Sequence, residues 1–251
     1  MDEHVEDHYT HLAETYDSTW AHRPDYLDWM EEQIHSRLSL SDERRLADIG
    51  AGTGLFLRRL MRHAAPGRPI VCVDPSRAML DRLPSDPRLV PVRATAEELA
   101  GGGVELPWST FDGIIIKEAV HHFTALESTM AGLAGLLAPG GQILVVTLPP
   151  RIGYPLFPEA LDRFAAGHPE PRQVEEALRA AGLRTATEFA AFPVRIDRGL
   201  WMKLVEGRWM SVLSSFTEAE LTAGLQWIAE HHPGPTLEFD DRFAFITGRI
   251  P

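Results

Sequence analysis

Cysteine and lysine are nearly absent from this sequence. One cysteine, Cys72, and two lysines, Lys117 and Lys203, occur among 251 residues. A lone cysteine excludes a disulfide within the chain. Its place in the apolar run PIVCVD reads as a buried, inert strand thiol, which suits a reducing cytoplasm. Basic charge is short as well: 24 Lys and Arg against 36 Asp and Glu leave a formal net charge of −12. Phosphate-rich partners are bound largely through Lys and Arg, so the balance argues against a nucleic-acid partner. It argues equally against a polybasic membrane anchor. No apolar run approaches the roughly 20 residues of a membrane-spanning helix. The stretch MDEHVEDHYTHLAETYD is acidic and polar, unlike a secretory signal, and a cytoplasmic location is expected. No Asp/His cluster stands at metal-ligand spacing, so no metal is expected.

What is present is an alternation of strand-like and helix-like runs, which predicts a mostly parallel sheet covered by helices. Residues 3–16 read as an amphipathic helix anchored by Val5, Leu12 and Tyr16, and a second helix follows Pro24. Strands are predicted in RLADIG, PIVCVD, RLVPVRA, FDGIIIKEA and QILVVTLPP. The unbroken Ile114, Ile115 and Ile116 predict burial on both faces. Helices are predicted in TGLFLRRLMRHA, SRAMLDRL and ALESTMAGLAGLLA, the last stopped by Pro139 and Gly140-Gly141. Residues 151–169 read as an excursion, PRQVEEALRAAGL as a helix, TATEFAAFPV as a strand, and TLEFDDRFAFITGRI as a closing strand. No interdomain linker is evident. The expectation is one domain over 1–251, with an N-terminal helical lid at 1–40, a cofactor-binding half at 41–150, and remaining strands at 151–251. A helical cap is expected at about 194–231.

The strongest chemical signal is ADIGAGTG, residues 47–54, between a strand and a helix. Glycines at 50, 52 and 54 let the chain turn tightly and let a ligand approach the backbone. A dinucleotide fingerprint needs its third glycine where Leu55 stands, so a ligand without a pyrophosphate fits better. Asp74 ends the second strand. An acid there can accept hydrogen bonds from ribose hydroxyls or cap the next helix; Ser76 can cap instead.

These segments, in this order, resemble the class I S-adenosylmethionine-dependent methyltransferases of small-molecule type. ADIGAGTG is similar to the family's first motif, VDPS to its second and ATAEEL (94–99) to its third. FDGIIIKEAVHHF and LLAPGGQILVV resemble the following elements, and YTHLAETYD the helix that closes over the cofactor. The resemblance implies a Rossmann-like α/β fold with a seven-stranded, mostly parallel sheet whose last strand is antiparallel. It implies S-adenosylmethionine as cofactor and S-adenosylhomocysteine as product. The implied cofactor residues are Tyr16, Asp48, Gly50, Ala51, Gly52, Gly54, Asp74, Pro75, Thr95, Ala96, Glu97 and Lys117. Gly50 and Gly52 would hold the methionine portion, Asp48 would orient its ammonium, and Asp74 would bind the ribose. Ala96 and Glu97 would border the adenine, and Tyr16 would cover the cofactor. Thr95 stands where the family usually has an adenine-contacting Asp, and its hydroxyl can accept a hydrogen bond only without the charge.

The implied function is methyl transfer to oxygen, nitrogen or carbon of a small-molecule acceptor. A cofactor-binding protein with a non-methylating or regulatory role remains the alternative, because the motifs describe the cofactor site alone. Lys117, His121 and His122 follow the fourth strand and are the candidate catalytic residues. An ion pair of Lys117 with Glu118, and cofactor-lining histidines, are the structural alternatives. Residues 194–216 mix Arg195, Arg198, Lys203 and Arg208 with Trp201 and Trp209. They read as an acceptor-binding lid or as an amphipathic cap with buried tryptophans. The candidate acceptor-binding residues are Arg23, His122, Trp201, Arg208 and Trp209.

Asp74→Ala should weaken S-adenosylmethionine binding by about 1.5–3 kcal/mol, the range for losing a charge-assisted hydrogen bond. Gly52→Val should abolish it by filling the approach path. Calorimetry on both folded variants checks this, and unchanged affinity in both would remove the proposed cofactor site.

Overall fold

The computed structural model describes residues 23–251. The expected helix at 3–16, with Tyr16, lies outside the described residues. The chain forms α1 (Pro24–Leu38), β1 (Leu46–Ile49), α2 (Leu57–Leu60) with a 3₁₀ turn (Met61–His63), β2 (Ile70–Asp74), α3 (Arg77–Leu80), β3 (Leu89–Arg93), α4 (Ala96–Ala100) and β4 (Phe111–Lys117). A 3₁₀ turn (Val120–His122), α5 (Leu126–Gly135), β5 (Leu137–Thr147), α6 (Pro158–Gly167), α7 (Pro171–Ala180) and β6 (Arg184–Asp197) follow. The chain closes with α8 (Arg198–Glu206), a 3₁₀ turn (Ser211–Ser215), α9 (Glu218–His231) and β7 (Thr236–Arg249).

The sheet is seven-stranded, in the order β3-β2-β1-β4-β5-β7-β6. β1 to β5 pair in parallel, and β7 runs antiparallel to both β5 and β6. The Rossmann-like fold with an antiparallel last strand is the one expected. Consecutive strand residues feed opposite layers, as the two-residue period of a strand requires. Ile114 and Ile116 pack with Leu99, Met130, Leu133 and Leu178 on one face. Ile115 packs with Met30, Ile34, Leu57 and Leu60 on the other.

Several local expectations change. The helix after the glycine loop is one α-helical turn followed by a 3₁₀ turn, and the helix after Asp74 ends at Leu80. Pro139, Gly140 and Gly141 do not end a helix; they lie within β5. Gly140 has φ +74°, and the register with β4 shifts between Phe111 and Gly113, so these residues form an irregularity at the strand's start. A Cβ at Gly141 would sit 2.9 Å from the Phe111 carbonyl oxygen, which is why the approach needs glycine. The excursion at 151–169 contains α6. Residues 194–197, expected in the helical cap, belong to β6.

β6 and β7 pair over their whole length, down to Asp197 opposite Thr236. β5 ends at Thr147, opposite Ala244, so a two-stranded ribbon extends past the sheet at the carboxyl edge. The α8–α9 segment is inserted at its tip. Trp201 is fully buried there and donates its indole N–H to the Pro155 carbonyl at 2.9 Å. Trp209, Tyr154 and Phe239 pack around it. Among the described residues no helix is long and apolar enough to cross a membrane.

Trp201→Ala removes the centre of this cluster and leaves the Pro155 carbonyl without its donor. It should cost about 3–5 kcal/mol of stability, the usual range for a large core aromatic. Denaturant unfolding checks this, and a loss under about 1 kcal/mol would show that the cap does not pack as a cooperative part of the fold.

Candidate active-site cleft

β1 is paired on both sides, to β2 and to β4. Its crossover helix α2 packs with one face of the sheet and α5, which follows β4, with the other. A crevice opens at the carboxyl ends of the strands where the helices diverge, the expected ligand position in such sheets. A cavity of about 550 Å³ occupies it.

The glycine loop forms its floor. Gly50, Gly52 and Gly54 all have positive φ, at +79°, +54° and +77°, a region that L side chains rarely adopt. Their surroundings separate their roles. A Cβ at Gly50 would lie 2.4 Å from the Cβ of Ala119, so this glycine lets the tips of β1 and β4 meet. A Cβ at Gly52 would meet nothing within 4 Å, so its backbone faces open space. A Cβ at Gly54 would lie 2.6 Å from Leu83 Cδ2, and Gly54 does not line the cavity. Gly54 thus packs against Leu83, while Gly50 and Gly52 line the cavity.

Asp74 ends β2 at the cavity wall. Its carboxylate accepts the Gly52 N–H at 2.9 Å and the Ser76 N–H at 2.8 Å. Ser76, not Asp74, caps α3 by accepting the Met79 N–H. Burial raises the Asp74 pKa against the pull of the Ser76 and Gly52 amides. Asp48 lies deeper. Burial pushes its pKa to about 7, Lys117 opposes the rise, and Asp74 adds to it.

Ala51, Pro75, Thr95, Ala96, Glu97, Lys117 and His122 also line the cavity, with Asp48, Gly50, Gly52 and Asp74. The expected cofactor residues thus share one cavity, except Gly54, which does not line it, and Tyr16, which lies outside the described residues. Thr95 is engaged in a capping box: its hydroxyl accepts the Glu98 N–H, and the Glu98 carboxylate accepts the Thr95 N–H. Glu97 accepts the backbone and hydroxyl hydrogens of Thr124 at 2.8 and 3.2 Å, tying α4 to the loop before α5.

The two histidines part. His122 lines the cavity and His121 does not. His121 stacks on His168 at 4.3 Å between centroids and lies tilted beside His122 at 4.1 Å, and its Nδ1 is buried without a partner. Burial, reinforced by those two rings, drives its pKa well below the ordinary histidine value. His121 is thus set back from the cavity, beside the His122 ring that lines it.

The expected acceptor residues do not line this cavity, His122 excepted. Trp201 and Trp209 are buried in the cap's own core. Arg208 donates to the Leu213 and Phe216 carbonyls and pairs with Glu218 at 2.7 Å; these bonds hold the turns of the cap and leave the guanidinium engaged. Arg23 forks onto Asp25. Among the described residues all four are engaged locally: packing in the cap takes Trp201 and Trp209, carbonyl groups and Glu218 take Arg208, and Asp25 takes Arg23. Cys72 is fully buried, with its pKa raised by burial, the inert thiol expected.

Sequence reasoning missed Glu118 as a candidate and Phe56 altogether. Both line the cavity beside Lys117. Glu118 has φ +52°, and Oε1 accepts the Leu148 N–H at 2.8 Å. Burial raises its pKa to about 7, opposed by Lys117 and the Leu148 amide and aided by Asp241. The Lys117–Glu118 ion pair, the structural alternative for Lys117, is not among the ion pairs of the described residues. The Lys117 ammonium lies over the Phe56 ring at 4.1 Å and toward Phe243 at 5.4 Å. Its pKa is lowered by burial against the pull of Glu118, Asp241 and Asp48. Only adjacency to Lys117 could have flagged Glu118.

A family model described as a methyltransferase domain matches residues 47–143. Uncharacterized methyltransferases of Mycobacterium tuberculosis are 31% identical over 100 residues, 40% of this chain, and the chain spans about half the length of those relatives (48%). A demethylmenaquinone methyltransferase of Thermus thermophilus is 26% identical over 67% of this chain and 86% of its own. Among solved structures, a provisionally assigned methyltransferase from an antibiotic biosynthesis pathway of Anabaena variabilis superposes with a TM-score of 0.67. It is 22% identical over 87% of this chain and 96% of its own. A phosphoethanolamine N-methyltransferase of Haemonchus contortus, solved with S-adenosylhomocysteine, gives a TM-score of 0.56 at 18% identity, over 88% of this chain and 52% of its own.

The raised pKa of Asp48 has a stability consequence. A carboxyl whose folded pKa lies above its unfolded value contributes stability fully present below about pH 4, lost as pH rises through about 7. Asp48→Asn removes that loss. The variant should melt higher than the parent at about pH 8, by about 2–4 °C per kcal/mol relieved, and the difference should shrink towards about pH 4. Thermal melts across this range check it; a difference independent of pH would show that Asp48 is not a desolvated carboxyl.

Proposed function

We propose, for a chain that carries a class I, Rossmann-like methyltransferase domain, that it transfers the methyl group of S-adenosylmethionine to a small-molecule acceptor. The observation that carries this reading is the convergence of Gly50, Gly52, Asp74, Ala96 and Lys117 on one cavity. The cradle fits the cofactor. The open space at Gly52 admits a ligand against bare backbone, and Asp74 is held at the strand tip by two amides, its oxygens retaining lone pairs for a ribose.

In this reading Gly50, Ala51 and Gly52 hold the amino-acid portion, and Asp48 orients its ammonium. Asp74 accepts from the ribose hydroxyls. Pro75, Thr95, Ala96 and Glu97 border the base. When bound, the cofactor supplies an electrophilic methyl group on a sulfonium. The protein positions the acceptor in line with that methyl group, which can supply much of the rate, and the cavity excludes water. His122 and Lys117 stand on the acceptor side.

The net charge of −12 favours a small acceptor over a nucleic acid. The Thermus relative is named for one, demethylmenaquinone. Incubation with methyl-labelled S-adenosylmethionine and a cell extract tests the reading. Label should enter the small-molecule fraction, and S-adenosylhomocysteine should bind in calorimetry where NADH does not. Label confined to RNA or protein, or binding of NADH alone, would overturn it.

A further inference from the structure

Two adjacent side chains in the cleft are arranged for chemistry that cofactor binding does not need. Successive residues of a strand leave on opposite faces. Lys117 follows Ile115 onto the α1 side, where its ammonium meets Phe56 and Phe243. Glu118 would continue to the opposite face. Its φ of +52° breaks the alternation, and both side chains line the same cavity. Left-handed backbone at a non-glycine residue persists only where its surroundings enforce it, and it clusters at functional sites. The Leu148 N–H holds Glu118 Oε1 at 2.8 Å, leaving Oε2 for the cavity.

Lys117 is held without a counter-ion: no carboxylate lies within 4.0 Å of it among the described residues. Ring faces attract a cation without taking its hydrogen-bond donors in the manner of a carboxylate. The charged groups facing the pair from other elements are Asp48 of β1 and Asp241 of β7. Asp241 is fully buried and accepts the Tyr154 hydroxyl at 2.5 Å. The deep end of the cleft thus holds a cation open to an anion, beside a carboxylate open to a proton.

We infer that Lys117 and Glu118 select an acceptor with an ionisable hydroxyl, a phenol or an enol, in which Glu118 takes the proton and Lys117 holds the oxygen. This rests on the methyl-transfer reading above. The O–H bond breaks and its proton passes to Glu118. The oxygen, held by the Lys117 ammonium, gives its electron pair to the methyl carbon. The carbon–sulfur bond breaks with its pair staying on sulfur, which loses its positive charge. Carboxylate, acceptor and sulfonium become carboxylic acid, methyl ether and thioether, and the charges balance. A Glu118 pKa of about 7, raised by burial against Lys117, suits a base at neutral pH. An ammonium acceptor would be repelled by Lys117.

The test uses substituted phenols spanning a range of acidity, with amines and thiols of matching shape, and methyl-labelled S-adenosylmethionine. Label should go to hydroxyl acceptors. Glu118→Gln should slow phenols that are protonated at the assay pH by about 10²-fold or more. It should slow nitrophenols, already ionised there, by about fivefold or less, because they need no base. It should also remove the fall in rate below about pH 7, and Glu118→Asp should restore part of the rate. Lys117→Met should slow both kinds of phenol. In the S-adenosylhomocysteine complex, the visible band of bound 4-nitrophenol should titrate about one unit or more below the free probe, and Lys117→Met should erase that shift. Transfer only to amines or thiols, no transfer to any hydroxyl acceptor, or a Glu118→Gln loss independent of acceptor acidity would overturn the inference. If S-adenosylhomocysteine still binds, the cofactor reading survives; if it does not, both fall.

Discussion

The close meeting of β1 with its two neighbours sets the geometry of everything around the cleft. β1 is short, four residues, and is hydrogen-bonded to β2 on one side and β4 on the other. Its last turn must pass beside the tip of β4 with no room for a side chain, since a Cβ at Gly50 would overlap that of Ala119. That contact brings the residues after β4 alongside the glycine loop. It also fixes where Asp74 can reach, and Asp74 in turn ties β2 back to the loop through the Gly52 amide. Backbone shape comes first here, and the chemistry is carried by groups that this shape aligns.

Electrostatics is the second organising feature. Asp48, Glu118 and Asp241 surround Lys117 away from water, and Asp74 lies near Asp48. Burial disfavours the charged form of each carboxyl, and Asp48 and Glu118 both move to about 7. Such an array is costly to keep in an apoprotein, and groups with strongly shifted pKa values concentrate where ligands bind or react. A cofactor that carries an ammonium and a sulfonium would relieve part of this cost. The Tyr154–Asp241 bond links the same array to the cap, because Tyr154 packs against Trp201 and Trp209.

The cap shows how residue type alone can mislead. Tryptophan and arginine are common in binding pockets, yet here they satisfy one another's neighbours. Trp201 caps a carbonyl, and Arg208 binds two more and Glu218. The extended β6–β7 ribbon carries this segment to the carboxyl edge of the sheet. Its aromatic side chains then close on their own core, with Phe157 packed against Gly224 and Phe216.

The sequence by itself determined the sheet, the glycine loop and the acid at the end of β2. These are local signals: unbroken apolar runs, glycines needed for left-handed backbone, and a polar residue at a strand tip. It also placed Lys117 and His122 at the cleft, since position after β4 follows from the strand's period. What only the tertiary structure decided was direction. Sequence could not say that His121 turns inward to stack on His168, that Gly54 packs on Leu83, or that Thr95 and Glu97 spend their oxygens on local bonds. Nor could it foresee Glu118 in left-handed backbone, because nothing about glutamate announces that conformation. It is imposed by partners distant in the chain, Leu148 among them. Side-chain direction at a strand end depends on contacts that the chain forms only once it is folded.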